Sequence, residues 1–184
     1  QKLLLPFAGT SVIGHVVDVL LEAGLKRIVV VTGRDHRRIA EHLGGRAAAC
    51  AHNAHWPDGM LSSVRTGLRA LPEACSNVLL MLGDQPGLRS ELVVRMVDAF
   101  SHTSRGILVP VHRGRRGHPL VFDRCYQDEI LCGYEGAGLR GLLRAHPEDV
   151  RELEVDDETV LLDADTPEAY RRAVERFPGQ GSAW

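Results

Sequence analysis

A carboxylate directly follows a short apolar stretch near the middle of this sequence. Val78 to Leu82 is apolar throughout, and Gly83 and Pro86 bracket Asp84 just after it. A short, uniformly apolar run predicts a strand buried on both faces in a parallel sheet. Glycine and proline end the strand, so Asp84 is expected at its carboxyl end, where open α/β sheets bind ligands. There it either holds a divalent metal ion or caps the turn or the next helix.

Two further carboxylates follow another apolar run. Val160 to Leu162 predicts a short strand, and Asp163-Ala164-Asp165 comes directly after it. Carboxylates at two strand ends can converge on one Mg²⁺, a hard cation that prefers oxygen ligands and keeps several waters. Asp163 is the predicted second ligand, because Asp165 is well placed to cap the next helix. The alternative is that Asp165 and Thr166 serve only as caps.

The stretch 52–60 is an unusually polar loop before a helix. Gly59, Ser62 and Ser63 lie near the start of that helix, where N–H and O–H groups can bind an anion. Ordinary capping by Asp58 is the alternative interpretation.

Candidate cations come from one lysine and one loop. Lys2 is near the beginning of the sequence, where a single lysine is more often a solvated charge. Arg113, Arg115, Arg116 and His118 form a dense basic loop, which either grips a phosphate or pterin or is a solvated hairpin. The glycine-rich stretch 136–141 is not a dinucleotide fingerprint, because no strand feeds it and GxGxxG is not matched.

Composition limits the class of protein. The chain has 184 residues, 44% of them hydrophobic and 25% charged, with a net charge of -2. These values predict one globular domain over residues 1–177, followed by a short tail at 178–184. The charge balance favours neither nucleic acid nor a membrane surface as a partner. Four cysteines without CxxC spacing predict reduced thiols and a cytoplasmic location.

Helices and strands alternate along the first half of the chain. Helices are predicted over 11–23, 35–43, 61–71, 90–100, 125–131, 139–145 and 167–177, with Ser11, Ser90 and Thr166 as N-caps. Strands are predicted over 27–32, 46–51, 78–82, 106–110, 119–122, 151–155 and 160–162. Strict alternation up to residue 110 predicts an α/β fold with a mostly parallel sheet. The irregular second half predicts a small antiparallel extension.

Six motifs in a fixed order carry a family resemblance. They are Lys2 to Pro6, Asn53 with Trp56 and Gly59 to Val64, Leu82 to Pro86, Gly117 to Phe122, Gly138 to Gly141, and Asp163 to Glu168. Together they resemble the MobA-like nucleotidyltransferases over nearly the whole chain. Within that family, the branch that looks most similar is the molybdenum cofactor cytidylyltransferases (MocA-like).

The resemblance implies a Rossmann-like nucleotidyltransferase fold with three α/β/α layers. It implies transfer of CMP from CTP to a molybdopterin-type cofactor, with Mg²⁺ as cofactor and pyrophosphate as leaving group. A sugar- or polyol-phosphate nucleotidyltransferase is the alternative enzyme. A non-catalytic factor that binds the molybdenum cofactor and passes it to a client molybdoenzyme is the alternative from another class.

The resemblance also assigns roles by motif position. It makes Lys2 and Asp84 catalytic, and Asp84 and Asp163 metal ligands. The nucleotide would be bound by Lys2, Asn53, Gly59, Ser62, Ser63 and Asp84, and the acceptor by Gly117, His118, Pro119 and Arg140. In the family a strand and a glycine-rich loop, bearing a serine and an arginine, precede the lysine that Lys2 matches. The expectation is that this triphosphate-cradling segment is missing here.

Overall fold

A computed structural model describes residues 1–177 of the chain, so the tail predicted at 178–184 lies outside the described residues. The helices are α1 (Val12–Glu22), α2 (His36–Leu43), α3 (Met60–Ala70), α4 (Ser90–Ser101), α5 (Gln127–Cys132), α6 (Leu139–Ala145) and α7 (Pro167–Arg176). The strands are β1 (Pro6–Phe7), β2 (Thr10–Ser11), β3 (Ile28–Thr32), β4 (Ala48–His52), β5 (Asn77–Leu80), β6 (Ile107–His112), β7 (Arg115–Arg116), β8 (Leu120–Asp123) and β9 (Val150–Glu154).

Local capping chemistry begins two of the predicted helices. Ser11 accepts a hydrogen bond from the Gly14 N–H at 3.1 Å and caps α1. Thr166 caps α7 in the same way, accepting from the Ala169 N–H at 3.1 Å. Both predicted caps are confirmed. The predicted cap at Ser90 is wrong, because Arg89 occupies the N-cap position in an extended conformation.

The strands pair in both directions. β3 and β4 are parallel, and β9 lies parallel to β6. β8 lies between β5 and β6 and is antiparallel to both, while β7 continues antiparallel from β6. The antiparallel part is therefore larger than the small extension predicted from the sequence.

One predicted strand is wrong. The segment before Asp163 is a short 3₁₀ helix over Glu158–Leu161. Asp157 starts this turn, because its Oδ1 accepts from both the N–H and the hydroxyl of Thr159, at 3.0 and 2.6 Å. Such side-chain bonds to nearby backbone compete with extended pairing.

Side chains alternate across β6 and divide the core into layers. Ile107 and Val109 pack with Val64 and Leu68 of α3, on one side of the sheet. Leu108 packs on the other side, in the cluster that contains Met96 of α4. Successive strand residues point to opposite faces, so helices cover both faces of this sheet. The predicted three-layer α/β/α arrangement is confirmed.

Helix length and the cysteines can be described from the same structure. Within residues 1–177, no helix combines the length and the apolar character needed to cross a bilayer. The four cysteines are free thiols, as expected; they are Cys50, Cys75, Cys125 and Cys132.

Candidate functional site

Two carboxylate-bearing loops meet just beyond the end of β5. The Ala164 N–H donates a hydrogen bond to the Asp84 carbonyl oxygen at 2.8 Å. This bond holds the Asp163–Asp165 segment against the loop that follows β5. The two candidate metal-binding segments of the sequence therefore lie side by side.

The Lys2 side chain joins these loops. Its Nζ donates to Asp84 Oδ2 at 2.6 Å and also to Asp165 Oδ1. Burial lowers the pKa of the Lys2 ammonium, but hydrogen bonds to Asp165 and Asp84 outweigh burial and raise the pKa above its ordinary value of 10.5. Lys2 is therefore a firmly charged cation between two carboxylates.

Asp163 has a different environment. Its Oδ1 accepts from the Asp165 N–H at 3.2 Å, and the residue lines a groove between Pro86 and α7. The residue that shares a cation with Asp84 is Asp165, which the sequence assigned to capping. Because Thr166 performs that capping, the Asp165 carboxylate is available to Lys2. The sequence held a signal for this, because Thr166 followed by Pro167 is a typical N-cap and first helix residue. With Thr166 as the cap, Asp165 could have been predicted to be free for another role.

The Asp84–Asp165 pair offers carboxylate oxygens of the kind that a divalent cation binds. Within residues 1–177, no group of three or more His, Cys, Asp or Glu side chains is arranged to hold a metal ion. The pair nevertheless offers two hard oxygen donors that already contact one ammonium nitrogen. Mg²⁺ is commonly held by one or two carboxylates together with waters and substrate phosphates, so these residues fit the ion.

His118, one of the predicted acceptor residues, lies against the 3₁₀ turn that precedes Asp163. The His118 N–H donates to the Val160 carbonyl at 2.9 Å. Burial lowers the pKa of the His118 imidazole, with Asp84 raising it and Arg140 lowering it through their charges. Pro119, which follows, is buried.

Gly117 is required by close backbone contact. A Cβ at this position would lie 2.3 Å from the Val160 carbonyl oxygen, far inside normal contact distance. The Gly117–Pro119 turn therefore packs directly on the 3₁₀ turn at Glu158–Leu161. This packing fixes His118 relative to the carboxylate loops.

Asn53 holds together the loop before α3. It is only 2% exposed, and its Nδ2 donates to Ser62 Oγ at 2.8 Å and to Ser63 Oγ at 3.0 Å. Its Oδ1 accepts from the His55 N–H at 2.9 Å. The start of α3 is Gly59, whose φ of 96° favours glycine. Gly59 rather than Asp58 is the N-cap, so the capping alternative is wrong.

An aromatic surface lies beside this loop, formed by residues that were not among the predicted site residues. Trp56 is 38% exposed and packs so closely on Gly33 that a Cβ there would lie 2.6 Å from the ring. The Arg34 guanidinium stands over the indole, 4.8 Å from its centre. The sequence held one signal for this contact: a glycine, Gly33, directly after strand β3 allows another group to pack closely on the backbone.

The three arginines of the basic loop form a solvated hairpin, whereas His118 is partly buried. Arg115 and Arg116 are exposed on β7. Arg116 Nε donates to Glu152 on the neighbouring strand β9 at 2.7 Å. The Arg113 backbone N–H is likewise bonded to Glu154 at 3.2 Å.

The sequence also matches known proteins. Residues 1–150 match the family model described as MobA-like NTP transferase domain. Among curated relatives, the chain is 26% identical to molybdenum cofactor cytidylyltransferase of Escherichia coli K12 over 182 residues, covering 96% of this chain and 88% of that protein. It is 29% identical to nicotine blue oxidoreductase of Paenarthrobacter nicotinovorans over 181 residues, covering 94% and 87% of the two chains.

The fold matches solved structures as well. The crystal structure of Rv0371C from Mycobacterium tuberculosis H37Rv in complex with manganese has a TM-score of 0.79 and 30% identity, covering 95% of this chain and 91% of that one. The predicted Rossmann-like nucleotidyltransferase fold is confirmed. The chain therefore belongs to the MobA-like NTP transferase domain family of nucleotidyltransferases.

Proposed function

We propose that this chain transfers CMP from CTP to the terminal phosphate of a molybdopterin-type cofactor and releases pyrophosphate. The observation that carries the proposal is the Lys2 ammonium held between Asp84 and Asp165 beyond the end of β5. A charged lysine beside a carboxylate pair suits the binding of a metal-bound triphosphate. The likeness over 96% of the chain to a molybdenum cofactor cytidylyltransferase supports this choice of substrates.

Asp84 and Asp165 are the proposed metal ligands, with Asp165 in place of the Asp163 expected from the sequence. When bound, Mg²⁺ would neutralise charge on the phosphates and so favour departure of pyrophosphate. Lys2 would contact the triphosphate. Both roles are electrostatic, and they need no covalent intermediate on the protein.

The nucleotide would lie along the loop before α3. Gly59 leaves the first turn of α3 accessible, and helix N-termini favour phosphates. Ser62 and Ser63 stand at this turn, but their hydroxyls are bonded to Asn53. Asn53 is therefore proposed to position the loop rather than to contact the nucleotide.

The acceptor would bind against the Gly117–Pro119 turn and Arg140. Arg140 would attract the attacking phosphate, while a lowered pKa keeps His118 neutral near neutral pH. A neutral imidazole can donate one hydrogen bond and accept another. These groups would orient the phosphate for in-line attack on the α-phosphorus of the nucleotide.

One set of assays distinguishes the proposed function from other transferase functions on the same fold. The full-length protein would be incubated with Mg²⁺, radiolabelled CTP or GTP, and molybdopterin, and pyrophosphate release would be measured. Release with CTP that depends on molybdopterin supports the proposal. Release only with sugar or polyol phosphates supports the alternative transferase.

Two assay results would instead support a protein of a different functional class. Tight binding of the cofactor without turnover, followed by transfer to a molybdoenzyme, would support a carrier. The 29% identity to nicotine blue oxidoreductase favours a redox enzyme as the second candidate. That candidate predicts a redox change of nicotine blue, with no nucleotidyl transfer.

A further inference from the structure

The cation between Asp84 and Asp165 is supplied by the chain itself. Lys2 Nζ contacts one carboxylate oxygen from each residue. These oxygens belong to the pair proposed above to hold Mg²⁺. One ammonium nitrogen and one metal ion would therefore need the same space.

The ion pairs are exposed enough to be exchangeable. The Lys2 side chain is 39% exposed, that of Asp165 is 60% exposed and that of Asp84 is 21% exposed. The exposed Lys2–Asp165 pair contributes little net stability, because water screens it and ordering long side chains costs entropy. The Lys2–Asp84 pair is partly buried, but the Lys2 ammonium that it shares remains open to water. A divalent ion carries twice the charge of the ammonium and attracts the same carboxylates more strongly.

We infer that Lys2 and a divalent cation are alternative partners of the Asp84–Asp165 pair, so that the cation binds by displacing the Lys2 ammonium. This inference rests on the metal site in the proposed function. Without nucleotide, Lys2 weakens metal binding, because two carboxylates must first lose their internal cation. Once displaced, the ammonium is free to meet an anion, and a triphosphate that arrives with the metal provides one.

The test measures binding of Mn²⁺ alone, without nucleotide or acceptor. Free Mn²⁺ is followed by electron paramagnetic resonance during titration of the full-length protein and of Lys2→Met, which keeps an unbranched side chain one atom shorter and removes the charge. The variant is expected to bind Mn²⁺ about tenfold more tightly, the size expected from losing two weak ion pairs and one repelling charge. Lys2→Arg is expected to keep the weaker affinity.

A matched control is available because Lys2 and Lys26 are the two lysines of the chain. Lys26 is exposed just before β3, so Lys26→Met removes the same charge elsewhere and should leave Mn²⁺ affinity unchanged. Asp84→Asn in the Lys2→Met background should abolish the added affinity, which assigns it to this pair. Thermal unfolding in EDTA checks folding, and Lys2→Gln replaces Lys2→Met if the latter does not fold.

Unchanged or weaker Mn²⁺ affinity in a folded Lys2→Met protein would overturn the inference. Absence of measurable Mn²⁺ binding in both proteins would overturn it as well. Failure of the proposed function is a separate result, since it appears as no pyrophosphate release by the unmodified protein with any nucleotide.

Discussion

Lys2 and Asp84 are 82 positions apart in the sequence, and their ammonium and carboxylate groups lie 2.6 Å apart in the structure. This contact fastens the segment before β1 to the loop that follows β5. Asp165, from the segment before α7, completes the arrangement. Three distant parts of the chain therefore meet at one small charged cluster, and each contributes a single side chain.

The first prediction separates the three aspartates of this region. Asp84→Asn and Asp165→Asn should each reduce pyrophosphate release by about 100-fold or more, because a lost metal ligand removes several kcal/mol of charge stabilisation. Asp163→Asn is the matched control and should retain most activity, since Asp163 faces a separate groove and the Asp165 N–H. Initial rates at saturating CTP and Mg²⁺ provide the measurement. A larger loss for Asp163→Asn than for Asp165→Asn would restore Asp163 as the ligand.

The second prediction concerns Asn53. Asn53→Ala should lower the free energy of unfolding by about 2–3 kcal/mol, because it leaves a buried loop without the amide that bonds two hydroxyls and one N–H. Urea denaturation measures this loss. Asn77→Ala is the control, since Asn77 is exposed at the start of β5 and should change stability little. Equal effects of the two substitutions would argue against a structural role for the Asn53 amide.

The third prediction concerns the close contact at Gly117. Gly117→Ala should destabilise the fold by about 1–3 kcal/mol, because the new methyl group meets the rigid Val160 carbonyl at 2.3 Å. It should also raise the KM for the acceptor, since the turn carrying His118 must shift. Gly67→Ala in α3 is the comparison, because its methyl group would meet one side-chain methyl group of Val31 at 3.1 Å rather than backbone at 2.3 Å. Chemical denaturation that shows no difference between them would contradict the packing argument.

The fourth prediction is a pH dependence of stability that originates at His15. Burial lowers the pKa of this imidazole below its ordinary value of 6.5, despite the nearby charges of Asp18 and Glu22. Its ring lies 5.0 Å from that of Phe7, and its Nε2 is buried without a hydrogen-bond partner among the described residues. The unfolded chain therefore binds a proton at a higher pH than the folded chain does.

The sign of the effect follows from linkage. Stabilisation from neutral His15 is present above the unfolded pKa and is lost as the pH falls through the lowered folded pKa. Unfolding free energy should therefore decrease from about pH 7 to about pH 5. His15→Phe fills the same apolar site without a titrating group and should flatten this decrease. Part of the decrease should remain in this variant, because the pKa of His118 is also lowered. An unchanged pH profile in His15→Phe would refute the assignment.

Local patterns in the sequence determined most of the secondary structure. The apolar stripe of α1 and the caps at Ser11 and Thr166 depend on neighbouring residues, and each was predictable. The strand before Asp84 was predictable as well, but it pairs antiparallel with β8 and only Val78 in it is buried, so the prediction of a parallel strand buried on both faces is wrong. The turn at Glu158–Leu161 was missed because side-chain hydrogen bonds within Asp157–Thr159 outweigh a short apolar pattern. The motif order also pointed to the family without any geometry.

Tertiary structure alone decided which groups act together. The sequence favoured Asp163 as the partner of Asp84, and only the fold placed Asp165 on the Lys2 ammonium. The fold likewise bonds the Asn53 amide to the hydroxyls of Ser62 and Ser63, whereas the family resemblance implied that all three side chains bind the nucleotide. Spacing along the chain determines a helix or a strand, because those hydrogen bonds are local. The partner of a charged side chain depends on where distant segments pack, so the shared cation of Asp84 and Asp165 becomes visible only in the folded chain.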